Sequence, residues 1–148
     1  MLRRRLTRGA RVWSQAEHMW AILTGFVMFS GGTPDKPATI TYGELATRMG
    51  YPSPLAGHTL ARPLGLIGQL CLQTDLPPLN VVVVSKETGA PGAEVLLRPG
   101  STVEQDQAAV MAVDWFIWQA PSAGMFRTIW ENRQAGQSEQ SAHEALTA

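Results

Sequence analysis

A chain of 148 residues, 45% of them apolar and five of them tryptophan, can bury one sizeable core, which excludes a disordered protein. Its 12 basic and 12 acidic residues cancel, so it lacks the basic excess that usually marks nucleic-acid binders. A single cysteine excludes an internal disulfide, and no run approaches the roughly 20 apolar residues of a membrane span, so a cytoplasmic protein with no membrane partner is expected.

Charge is placed unevenly. Arg3, Arg4, Arg5, Arg8 and Arg11 crowd the start of the chain, whereas most carboxylates lie from Glu87 onward. Residues 1–12 therefore read either as a basic arm that follows a phosphate backbone or as a solvated, frayed end. The apolar run Ala21 to Phe29 is short for a signal-peptide core and lacks a convincing cleavage site after it. Residues 13–133 read as one domain, and 134–148, rich in Gln, Ser, Ala and Glu, as a flexible tail.

Three Ser/Thr-x-x-Glu capping boxes mark helix starts: Ser14–Glu17, Thr41–Glu44 and Ser101–Glu104. The first helix is expected over Gln15 to Phe29, with Ala16, Trp20, Leu23 and Val27 forming its buried stripe. The second runs from Tyr42 to Met49 and stops at Gly50, a natural left-handed cap. A third helical region extends from Leu55 to Leu72, with an interruption expected at Arg62-Pro63 and with Gly65 and Gly68 permitting close packing or a bend.

After Asp75-Leu76-Pro77-Pro78, the β-branched run Val81 to Val84 predicts a buried strand within Asn80 to Ser85. The turn-rich Lys86 to Gly92 and then Glu94 to Arg98 predict the returning strand of a hairpin. The last helix is expected over Thr102 to Trp118, with Val103, Val110, Val113 and Ile117 inward. Trp13, Trp20, Trp115 and Trp118 would join the first and last helices. The expected fold is mostly α with a small β-hairpin: a winged helix-turn-helix with flanking N- and C-terminal helices.

The residues Thr41-Tyr42-Gly43-Glu44-Leu45-Ala46, Gly50, Ala61-Arg62-Pro63-Leu64-Gly65, Leu76-Pro77-Pro78, Val82-Val83 and Gly89 carry a resemblance. Thr41 to Gly92, about a third of the chain, is similar to the winged-helix DNA-binding domain of the O6-alkylguanine-DNA alkyltransferase and alkyltransferase-like superfamily. The resemblance implies that Tyr42 presses on a phosphate to rotate a nucleotide. It also implies that Arg62 fills the gap left in the base stack, once about six extra residues are allowed between Gly50 and Ala61. The family's catalytic Pro-Cys-His-Arg aligns with Pro78-Leu79-Asn80-Val81. Leu79 stands at the place of the thiol and cannot accept an alkyl group, so a non-catalytic protein is expected.

Other chemistry has little to build on. Cys71 lies in an apolar helical stretch with no histidine beside it in sequence, which reads as a structural cysteine. His18, His58 and His143 lack metal-ligand spacing; Glu104, Asp106 and Asp114 share one helix, and no Walker motif is present. No enzyme activity, metal or cofactor is therefore expected.

Two functions remain. Double-stranded DNA is the leading partner, contacted by Tyr42, Arg48, His58, Thr59, Arg62 and Lys86 in a sequence-tolerant, shape- or lesion-reading mode. For Tyr42 and His58 a purely structural role stands beside the contact role. The alternative is a protein–protein interaction module on a winged-helix scaffold, such as a phage or mobile-element accessory factor. It would dock through Trp115 to Trp118 and Met125, Phe126, Ile129 and Trp130, unless these complete the core.

Overall fold

A computed structural model describes the backbone of residues 11–51 and 57–147 and the side chains of 11–51 and 60–136. Helix α1 spans Val12–Phe29 and buries Ala16, Trp20, Leu23 and Val27, the stripe set by its helical period, together with Met19 and Thr24. It begins before the expected Gln15, and Ser14 lies inside it, so the first capping box does not form. Glu17 instead turns outward from α1 and accepts a hydrogen bond from the backbone N–H of Ala123.

Strand β1, Ile40–Thr41, leads directly into α2, Tyr42–Met49. The Thr41 hydroxyl accepts from the Glu44 N–H at 3.1 Å, and Gly50 closes the helix at φ 85°, where only glycine is free of strain. Leu45, Ala46 and Met49 face the core.

Helix α3 runs unbroken over Gly57–Gln73 with Pro63 inside it, in place of the expected interruption. Proline removes one backbone rung and costs about 3 kcal/mol in a helix interior. Leu60, Leu64, Ile67 and Cys71 are nevertheless all fully buried along one face, at roughly 1.5–3 kcal/mol for each large aliphatic side chain, which outweighs the lost rung.

The hairpin is the main correction. Leu79–Val82 forms a 3-10 turn, and only Val83–Val84 is strand, β2. β2 pairs in parallel with β1, Ile40 opposite Val83 and Thr41 opposite Val84. The expected returning strand, Glu94 to Arg98, has no regular structure. The reason is burial: Val81 to Val84 are all inside, and a run apolar on both faces suits a covered parallel strand better than a half-exposed hairpin. The crossover that parallel pairing requires is supplied by α2 and α3.

Helix α4 spans Val103–Ala112, shorter than expected, and its capping box is Thr102 with Gln105, one position beyond the Ser101–Glu104 pair. The chain then makes a second 3-10 turn, Trp115–Ile117, which leaves Ile117 exposed where an inward position was expected. Helix α5, Ala123–Thr147, is a further element beyond the expected order. The boundary placed at residue 134 falls within it. Helix α1 packs against both α3 and α5, and Trp20 meets Trp115 edge-on at 5.7 Å and Phe126 at 6.3 Å. Trp13 and Trp118 do not join that cluster: Trp13 is partly buried against Arg127, and Trp118 is exposed.

Among the described residues the structure is thus mostly helical, with five α-helices and one small parallel sheet. No helix among them is long and apolar enough to cross a membrane.

Candidate nucleic-acid interface

The residues proposed from sequence fall in different surroundings. The Tyr42 ring, at the start of α2, is half-buried. Its hydroxyl accepts from the Gly92 N–H at 2.7 Å and donates to the Glu94 carboxylate. Burial, reinforced by the bond to Glu94, raises the phenol's pKa above its ordinary value. The hydroxyl is therefore engaged in pinning the 92–94 loop to α2, with a carboxylate where a phosphate would need to sit.

Arg48 is exposed on α2, and its guanidinium lies over the Phe26 ring of α1, 5.4 Å from the centroid. Arg62 is exposed on α3 and lies over the Trp130 ring of α5 at 5.9 Å. Lys86 is exposed in the tight turn after β2, which is closed by the Gly89 N–H to the Ser85 carbonyl. His58 and Thr59 belong to the first turn of α3, but their side chains lie outside the described residues. No hydrogen bond or ion pair among the described residues joins any two of Tyr42, Arg48, Arg62 and Lys86.

The α3–α5 seam gathers more than the sequence reading named. Arg133, one turn after Trp130, brings its Nη1 to within 3.6 Å of where a Cβ on Gly65 would stand. Arg62 and Gly65 are likewise one turn apart on α3. Two exposed arginines, one from each helix, thus lie along the seam, Arg62 over the indole and Arg133 beside Gly65, and neither is paired with a carboxylate among the described residues. Such an arrangement can meet phosphates with both guanidinia. The i, i+3 spacing of Trp130 and Arg133 was the available signal, but it becomes meaningful only once α5 is recognised as a helix.

The region aligned with the family's reactive motif is closed. Leu79, Asn80 and Val81 are fully buried. Asn80 donates from Nδ2 to the Leu64 carbonyl at 2.9 Å, while its Oδ1 has no partner. Cys71 is fully buried, and burial pushes its thiol up to about 12, so thiolate is scarce at neutral pH. Asp106 is buried on α4 and accepts from the Arg98 backbone N–H at 3.0 Å, Arg98 Nε at 2.6 Å and the Ser101 hydroxyl at 2.6 Å. It is a structural clasp for the 98–101 loop. No cluster of three or more His, Cys, Asp or Glu side chains suited to a metal ion occurs among the described residues.

A second feature lies around the end of α1. Phe29 is 83% exposed and sits 5.6 Å from Phe116, with Ile117 and Trp118 also exposed beyond it. Beside Phe29 an open groove of about 770 Å³ runs along Ala21, Gly25 and Phe26 to Arg48. Compared with known proteins, the chain matches no family model, no curated protein and no solved structure.

Proposed function

We propose that this chain is a non-catalytic, alkyltransferase-like DNA-binding domain of the helix-turn-helix kind, without the hairpin wing, which presents α3 to double-stranded DNA. The observation that carries this reading is the pair of exposed arginines on the α3–α5 seam, Arg62 over Trp130 and Arg133 beside Gly65. A guanidinium braced by an aromatic ring, as Arg62 is by Trp130, loses little freedom on meeting phosphate, and Arg133 adds a second charge on the same seam. Contacts of this type go mainly to the backbone, which favours a shape- or lesion-tolerant mode over operator specificity. Tyr42 then serves by holding the 92–94 loop beside α2, and Lys86 supplies a peripheral charge.

The test is fluorescence anisotropy of a labelled duplex at low and moderate salt. Binding that weakens steeply with salt, and that falls at least ~10-fold in Arg62→Ala and in Arg133→Ala, is expected. A duplex that stays unbound at low salt rejects the proposal.

A second reading, a protein–protein interaction module on the same scaffold, is favoured by the exposed Phe116, Ile117, Trp118 and Met125, whereas Trp115, Phe126 and Ile129, expected on that surface, complete the core instead. Trp130 does not separate the two readings, because it supports Arg62. Trp118→Ala does: it leaves DNA binding intact and weakens a protein complex.

A further inference from the structure

Over its C-terminal half, from Met19 to Phe29, helix α1 is apolar on its outer as well as its inner face. Between His18 and Thr33 there is no charged residue, and a helix that is apolar all round is normally covered. Its outer stripe runs through Ala21, Ile22, Gly25 and Phe29. Gly25 lies in the helix interior, where glycine weakens a helix, yet nothing in the described structure approaches within 4 Å of where its Cβ would stand. Packing within the described fold therefore gives no reason for a glycine there. A close approach from outside does.

We infer that this face is a homodimer interface, in which α1 of one copy crosses α1 of a second copy antiparallel, with Gly25 on the two-fold axis. The stripe is self-complementary, as a two-fold contact requires. One turn after Gly25 stands the protruding Phe29 ring, and one turn before it the small Ala21. In an antiparallel pair centred on Gly25 the ring of each copy enters the gap at Ala21 of the other. The Phe29 ring of the stripe lies 5.6 Å from that of Phe116, and with the adjoining Ile117 and Trp118 these side chains expose roughly 500 Å² against the ~800 Å² per partner of a standard interface, the α1 groove supplying the remainder. Charge raises no obstacle. The chain has zero net charge and Arg48 is the groove's only charged lining residue, so two copies meet without strong repulsion. This inference does not depend on DNA binding.

The experiment is sedimentation equilibrium of the full chain up to about 100 µM, with variants on the stripe. The wild type is expected to reach twice the chain mass. Phe29→Asp should raise the dimer Kd at least ~10-fold. Gly25→Leu should weaken the dimer equally while its Tm stays level or rises, a combination that general misfolding cannot produce. Gly25→Cys should form a disulfide-linked dimer on mild oxidation, while Thr33→Cys, off the stripe, should not. A wild type that remains monomeric throughout, or a dimer unchanged in both Phe29→Asp and Gly25→Leu, overturns the inference.

Discussion

The side chain of Asn80 occupies the space that a Cβ on Gly68 would need: its Nδ2 lies 2.7 Å and its Oδ1 2.8 Å from that position. Both residues are buried, and Nδ2 is held by the Leu64 carbonyl, so the amide cannot swing aside. The contact locks the 3-10 turn before β2 against α3.

Gly68→Ala is accordingly expected to lower stability by about 1–3 kcal/mol, although alanine is the better helix former. In an Asn80→Ala background the same change should be neutral or stabilising. Denaturant unfolding of the four proteins in this double-mutant cycle measures the coupling. Additive effects would show that the two side chains do not compete for the space.

Asp106 predicts an acid limb. Burial alone would push its carboxyl up, but hydrogen bonds from Ser101 and from the Arg98 backbone and guanidinium bring it below the ordinary carboxylate value of 3.8. A group whose folded pKa is depressed contributes stability that is fully present above its unfolded pKa and is lost as pH falls through the folded one. Stability should therefore fall as pH drops below about 4. Asp106→Asn should cost about 2–3 kcal/mol at neutral pH and flatten that acid slope, as read by thermal melts between pH 2 and 7.

Cys71 should resist thiol reagents in the native state. Its complete burial and raised pKa leave neither access nor thiolate, so labelling at neutral pH should wait for unfolding. The labelling rate should rise with denaturant in step with the unfolded fraction. Fast labelling in buffer alone would place the thiol at a mobile surface.

The α3–α5 seam predicts a salt signature. If Arg62 and Arg133 each meet one phosphate, replacing either with alanine should reduce the slope of log K against log salt by about one unit. Trp130→Ala should weaken binding as well, through the lost brace under Arg62, whereas Trp118→Ala should leave both affinity and slope unchanged. Equal losses in all four variants would indicate unfolding, which circular dichroism detects.

The local rules were legible in the chain itself. The period of Ala16, Trp20, Leu23 and Val27 specified the buried face of α1, and Thr41 and Gly50 marked both ends of α2, because caps and amphipathic stripes depend on neighbours a few residues away. Arg62 was likewise placed on the surface of α3, and Cys71 in its apolar interior. What required the third dimension were partnerships between distant segments. Val83–Val84 could pair with a following strand or with Ile40–Thr41, and burial on both faces, a tertiary property, decided for the parallel partner. Glu17 had the spacing of a cap for α1 but meets the start of α5 instead. Arg133 had only its i, i+3 spacing from Trp130 until α5 laid it against Gly65, one turn from Arg62. The sequence by itself determined where α1 and α2 form and which residues of α1 turn inward. Only the packing of α1, α3 and α5 decided which charges and rings share a surface, because such contacts join residues that local propensity treats as independent.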